Sequence, residues 1–467
     1  MPGNLDARVY NLKRYFAYLV FLSENVIRRL EGVSFKSRVI VLVIVVGCLA
    51  QLFDGMDNFL TGYALPGMGK EFNFPNPLYG GLVLALTLVG MLIGSLTWST
   101  LSDRIGRKPA FTWTVLIYSF GSLLSAISPS YLFLLGARIF TGFGLGGEPP
   151  IAATLVAEYV PSRHRGAIMS AIANMFPTGW FFASVAGLVI AIPFGWRALY
   201  LVGFVPAILS FFIRQYIPES TRFLLRKGDI DGANKVLDKI GAPPPSKDIA
   251  VKKEDVEVGT KPKFSELYAP AYRQRTVVLS IIFFFGFFIS FGFGSWLPSV
   301  LMGPPYNLPI AQSFTYGLVT NLGAVVIGLS IVFIIDRVGR KTTGRIYYAL
   351  SALSFLVFGL INPNLNVVLF LVVAFMAGGL FNGGNNSAVM WATELYPTRM
   401  RNTGEGHAQA WGRIGGVAAP LLAATLLTFF VNRYYFFVLF AVAAAISAMM
   451  FFFGTETRRR VLETITH

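Results

Sequence analysis

Asp103-Arg104-Ile105-Gly106-Arg107-Lys108 and Asp336-Arg337-Val338-Gly339-Arg340-Lys341 are almost the same six residues, 233 positions apart. Two further pairs follow in the same order. Glu158-Tyr159-Val160-Pro161 with Arg163 and Arg165 answers to Glu394-Leu395-Tyr396-Pro397 with Arg399 and Arg401, at an offset of 236. Glu219 in Pro-Glu-Ser answers to Glu456 in Thr-Glu-Thr, at 237. One match could be chance, but three in order, each close to half of the 467 residues, indicate a duplicated chain.

The sequence between these motifs is apolar. Hydrophobic residues make up 54% of the chain and charged residues 13%, with a mean hydropathy of +0.61. A soluble domain carries about 25% charged residues, so this chain could not clothe its surface in polar groups. Its apolar blocks approach the roughly 20 residues that a helix needs to cross a bilayer. Spans are read at about 38–66, 78–101, 110–128, 131–159, 166–192, 196–217, 276–302, 313–336, 345–361, 366–396, 402–430 and 433–454. The predicted fold is an all-α membrane protein of twelve transmembrane helices in two pseudo-symmetric six-helix halves, 38–217 and 276–454. Residues 218–275 are polar and read as a cytoplasmic linker with a few short helices. Residues 1–37 form a cytoplasmic arm whose stretch 9–30 mixes apolar and basic residues, either an amphipathic surface helix or a mobile arm. Residues 455–467 form a cytoplasmic tail.

A net charge of +16 raises the question of nucleic acid. The basic residues, however, fall on one side of the predicted topology: in the N-terminal arm, in both six-residue loops, after the fourth and tenth spans, in the linker and in the tail. The opposite loops hold Lys70, Arg197 and Arg433. The positive-inside rule then puts both termini in the cytoplasm, and the charge records topology rather than a nucleic-acid partner. Cys48, the one cysteine, lies in the first span, which excludes an intramolecular disulfide. No phosphate-binding loop, metal-ligand cluster or nucleophile elbow is present, so the sequence offers neither an enzyme nor an ATP-driven pump, and no cofactor.

Twelve spans divided six and six, with a DRxGRK loop in each half, resemble the major facilitator superfamily. The segments GGEPP (146–150), AEYVPSRHRG (157–166), PESTRFLL (218–225) and TELYPTRMRNTGEG (393–406) are similar to the branch that holds bacterial niacin and aromatic-acid/proton symporters. Sugar porters and animal organic-ion carriers are its neighbours. Asp54-Gly55-Met56-Asp57 resembles the DGxD element of the aromatic-acid symporters. The resemblance implies a monomeric carrier in a prokaryotic plasma membrane that exposes a central site to each side in turn.

At the loop face the sequence offers a gate. Gly106 and Gly339 permit tight turns. Asp103, Arg104, Arg107, Glu158 and Arg165, mirrored by Asp336, Arg337, Arg340, Glu394 and Arg401, can form ion pairs that bias a two-state equilibrium, unless these are topogenic charges alone.

Ionisable groups at bilayer depth are functional candidates by default. Asp57 lies roughly 13 Å and Arg138 about 10 Å from the outer edge, so the two can meet. Asp54 is three residues from Asp57 on the same helix face. The resemblance matches Asp57 and Arg138 to the proton-linked pair of sugar/proton symporters; the alternative is a static ion pair. Glu148, before Pro149 and Pro150 at an expected helix break, is either a second proton site or a group that satisfies freed backbone. Arg413, about 18 Å beyond Arg401, suits a substrate anion or a structural partner such as Asp54 or Glu148. Gln409 shares its span, as does His407, which reads as a packing residue or a proton relay. Asn382, Asn385 and Asn386 add amides to the tenth span, where Gly383 and Gly384 would let the helix open.

The sugar-porter pattern fails at its site: its fifth-span Gln falls at Ala173 and its tenth-span Trp near Gly384. The expectation is a proton-coupled symporter of a small organic acid, with aromatic acids among the candidates. Sugar or organic-cation transport is the alternative, and a non-transporting receptor with this fold a more distant one.

Overall fold

The computed structural model describes residue 29 and residues 37–243, 264–361, 363, 366–397, 400–430 and 432–457, with backbone alone at 162, 163, 332 and 402. The amphipathic reading of residues 9–30, the linker stretch 244–263, the side chain of residue 163, Arg399 and the end of the tail lie outside what is described.

Twelve membrane crossings follow in order, called spans 1 to 12. They are Arg38–Glu71, Pro77–Ile105, Arg107–Ala126, Tyr131–Tyr159, Ser162–Ala186 with its extension to Phe194, and Trp196–Val202 joined to Pro206–Tyr216. The second half holds Pro270–Met302, Ile310–Val338, Arg340–Leu360, Val367–Glu394, Arg401–Phe429 and Tyr434–Met450. Ten are long and apolar enough to cross a membrane by length and composition. Spans 3 and 4 complete the set, and span 4 is diluted by Arg138, Glu148 and its glycines. Those glycines are what let its polar groups be buried. A Cβ at Gly142 would stand 1.9 Å from the Thr87 carbonyl oxygen, and one at Gly146 2.0 Å from that of Met91, so spans 2 and 4 touch backbone to backbone.

Two expected helix openings do not occur. Span 4 runs unbroken through Pro149 and Pro150, and span 10 through Gly383 and Gly384. Within a bundle, neighbouring helices make a proline tolerable, whereas an opened helix would strand more backbone groups. Gly383 and Gly384 instead admit the rings of Tyr347 and Tyr348. Span 6, expected to be continuous, is interrupted between Val202 and Pro206, where Gly203 packs against Asp57 and Ser122. The linker carries helices Thr221–Arg226 and Ile230–Lys239 and a 3-10 turn, Phe264–Tyr268. Arg29 is buried on it, donating to Pro243 O at 2.8 Å, Asn234 Oδ1 at 2.9 Å and Asp238 Oδ1 at 2.7 Å.

The halves meet on the side away from the repeated loops, here called the far face. A Cβ at Gly62 of span 1 would lie 2.4 Å from the Ser295 carbonyl oxygen of span 7, and one at Gly81 of span 2 2.8 Å from Ala424 of span 11. Tyr63 meets Phe314 edge-on at 4.9 Å. Among the described residues, the hydrogen bonds that join the halves come from Asn321 of span 8, to Trp180 O at 3.2 Å and Tyr63 Oη at 3.4 Å.

Candidate transport site

At the loop face, each repeated motif turns at a left-handed glycine, Gly106 at φ 109° and Gly339 at φ 105°, and the next helix begins at once. Arg107 pairs with Asp103 at 2.8 Å and reaches Glu158 at 4.0 Å; Arg226 adds a second contact to Asp103 at 3.1 Å. In the mirror set Arg340 pairs with Asp336 at 2.9 Å and Glu394 at 3.0 Å. These pairs run within each half. Arg165 donates to Val160 O at 3.1 Å, and Arg401 opens span 11 with its amide on Pro397 O at 3.0 Å. Arg104 and Arg337 are exposed, outside the described ion pairs.

The sequence reading left Glu219 and Glu456 as repeat markers only. Glu219 Oε1 accepts the amides of Arg107 at 3.0 Å, Lys108 at 3.2 Å and Ser220 at 2.9 Å. Glu456 accepts those of Arg340 at 3.0 Å, Thr342 at 3.3 Å and Thr457 at 3.0 Å. Each carboxylate thus caps the start of a span across the fold, where free N–H groups and the helix dipole favour an anion. Burial pushes the Glu219 carboxyl above its ordinary range, against the pull of these amides and of Arg107.

Deeper in the first half, Asp57 and Arg138 do meet, at 3.2 Å, and both are sealed from solvent. Ser122 donates a short hydrogen bond to Asp57 Oδ1, Arg138 Nε donates to Thr87 Oγ1 at 3.1 Å, and the guanidinium lies 5.0 Å from the centre of the Tyr200 ring. Asp54, one turn away, is set differently. Its Oδ1 accepts from Asn58 at 3.0 Å, while Oδ2 has no partner. Glu148 is fully buried, with neither carboxyl oxygen hydrogen-bonded.

A cavity of about 260 Å³ lies between the halves. Asp54 and Gln51 enter it from span 1; Arg413 and Gln409 face it from span 11, and Asn382, Asn385 and Asn386 from span 10. Asn382 spends its amide on Ala324 O at 2.8 Å and Asn386 on Gly328 O at 3.4 Å, whereas Asn385 Oδ1 is unpaired. Phe176 and Trp180 of span 5 and Phe287 and Phe291 of span 7 supply flat apolar walls. The four-residue spacing of Phe287 and Phe291 was the available signal for one wall; nothing in the sequence marked Trp180. His407 does not line this cavity. Its Nε2 accepts from Trp411 at 3.2 Å and lies 3.0 Å from the Tyr268 hydroxyl, with Phe264 packed on its ring at 5.2 Å. Asp57, Arg138 and Glu148 also lie outside the lining.

Two mirrored bundles around a central polar cavity are an architecture with known counterparts. The family model described as sugar (and other) transporter matches residues 43–467. The chain belongs to that family. Among curated members, it is 31% identical over 401 residues to the niacin transporter NiaP of Acinetobacter baylyi, covering 85% of this chain and 89% of that protein. It is 30% identical to the 4-hydroxybenzoate transporter PcaK of the same organism, covering 82% and 84%. The inward-open structure of the xylose transporter XylE from E. coli superposes with a TM-score of 0.72 over 91% of this chain and 99% of that one, at 16% identity, and shows the shared fold. Membership makes the chain a multi-pass membrane transporter of the major facilitator type, not an enzyme.

Proposed function

We propose that this family member is a proton-coupled symporter of a small organic anion, with an aromatic carboxylate the best fit. The observation that carries the reading is Arg413. Its guanidinium faces the cavity outside every described hydrogen bond and ion pair, and the same cavity is lined by the amides of span 10 and the rings of Phe287 and Phe291. A planar guanidinium takes a carboxylate through two parallel hydrogen bonds, and flat rings accept a flat ring. The NiaP and PcaK relatives are named for niacin and 4-hydroxybenzoate, both aromatic carboxylates, which supports the same class. Against a sugar, the positions of the sugar-porter pattern that serve its ligand are held here by Ala173 and, near the tenth-span site, Gly384, neither of which offers a side-chain hydrogen bond.

In this reading the proton site lies within the first-half cluster of Asp54, Asp57, Arg138 and Glu148, in which Arg138 holds Asp57. The loop face with its basic residues is cytoplasmic, the protein works as a monomer in a prokaryotic plasma membrane, and the ion pairs at that face steady each half as the inner mouth opens and closes. No cofactor takes part beyond the proton. The test is uptake of labelled benzoate, nicotinate and 4-hydroxybenzoate into liposomes under an inward proton gradient, against protein-free liposomes. Protein-dependent accumulation abolished by a protonophore is the expected result. No excess for any of the three overturns the substrate class.

A further inference from the structure

The first-half carboxylates are not equivalent, and the difference sets a stoichiometry. Asp57 is enclosed: Ser122, Arg138 and the backbone around Gly203 occupy its surroundings, and it has no place on the cavity wall. Asp54 stands on that wall with an unpartnered Oδ2, and its opposite charge is Arg413, contributed by the other half. The remaining ionisable groups that face Asp54 are Asp57 on its own helix, Glu148 on span 4 and Tyr118 on span 3. Among the described residues, Arg413 is therefore the cation that Asp54 and an entering anion must share.

We propose that Asp54 and the substrate carboxylate compete for Arg413, and that protonation of Asp54 decides the competition. This rests on the organic-anion reading above. With Asp54 ionised, the cavity holds one positive and one negative charge, and a second anion would leave it with an uncompensated negative charge in a medium of low dielectric. When a proton binds Asp54, the negative charge opposite Arg413 is gone and the guanidinium takes the carboxylate. The loaded cavity is then neutral and can cross the bilayer midplane without carrying net charge. On release the anion leaves, Asp54 gives its proton to water on the same side, and its charge again balances Arg413 across the cavity. One proton moves with each anion, so transport is electroneutral. Asp57, locked to Arg138, holds span 1 against span 4 and carries no transported proton; it is a positioning residue.

Two measurements test this with benzoate as probe, which is an anion throughout the range used. In the first, benzoate affinity of the purified full chain is titrated calorimetrically between about pH 6 and pH 8. The unaltered protein should lose affinity by up to about tenfold per pH unit on the alkaline side, as linkage to one proton requires. Asp54→Asn should flatten that slope, and binding itself reports that the variant is folded. In the second, the unaltered protein in liposomes should accumulate benzoate equally with and without a potassium-diffusion potential. A slope that persists in Asp54→Asn, or a flat one in the unaltered protein, overturns the assignment. Accumulation that rises with an inside-negative potential overturns the one-proton count. Failure of the unaltered protein to accumulate any of the three carboxylates sinks the parent reading and this proposal with it, an outcome distinct from driven uptake that survives Asp54→Asn.

Discussion

Glu219 caps a helix that begins 112 residues before it: its Oε1 accepts the Arg107 amide at 3.0 Å. Glu456 does the same for Arg340 in the second half. Replacing either by Ala strands amides that are shielded from water at a helix start. Each substitution should cost about 1–3 kcal/mol, read as a lowered midpoint of thermal unfolding in detergent. A midpoint unchanged in both would show that water replaces the carboxylate.

The same residue predicts a pH dependence. Burial raises the Glu219 carboxyl above its unfolded value, so the folded form binds the proton more readily. Its stabilising contribution is complete below the unfolded carboxyl value of about 4.3 and is lost as pH rises through the folded value. Oε1 collects the three amides, which leaves Oε2 for the proton. Lowering pH from about 8 to about 5.5 should therefore favour the unaltered protein relative to Glu219→Gln, measured as the difference between their unfolding midpoints.

Asp57 and Arg138 form a buried pair, and breaking one side should be worse than removing both. Arg138→Gln alone leaves the Asp57 charge dependent on Ser122 and should destabilise by about 3–5 kcal/mol. Asp57→Asn combined with Arg138→Gln should recover part of that loss. Additive losses in this double-mutant cycle would refute direct coupling.

The tenth-span amides divide by role. Asn382 ties span 10 to Ala324 of span 8, so Asn382→Ala should lower stability by about 1 kcal/mol. Asn385→Ala removes an unpaired oxygen close to the cavity and should weaken benzoate affinity while leaving the unfolding midpoint nearly in place. Reversed effects in the two variants would overturn the division.

Gly62 sets the closeness of the halves at the far face. Gly62→Val should hold that face open, because its Cβ would come 2.4 Å from the Ser295 oxygen. A cysteine placed at Thr320, which is buried beside Tyr63 and Asn321 at that joint, should then react faster with an impermeant maleimide in a Cys48→Ser background. Unchanged labelling would show that span 7 yields instead.

The sequence announced the twelve spans, the duplication and the buried Asp57–Arg138 pair because charge in an apolar run is conspicuous. Nothing local marked Glu219 as a cap, since the helix start it caps lies more than a hundred positions away. The helix openings expected at Pro149–Pro150 and Gly383–Gly384 came from local propensity. In the bundle, neighbours absorb the proline, and the glycines serve to admit tyrosine rings. Trp180 on the cavity wall was hidden for a different reason: an aromatic residue in an apolar helix looks the same whether it faces lipid, core or ligand.

The far-face closure has a consequence for how the carrier answers its surroundings. None of the ion pairs described between groups of known position bridges the two halves; they meet there through glycine, aromatic and carbonyl surfaces. Screening by salt acts on charges and leaves such a joint almost untouched. Lateral pressure and bilayer thickness act on shape, and a membrane that favours a wider profile at the far face would pull the joint apart. Lipid composition, rather than ionic strength, is then the natural regulator of how often this face opens.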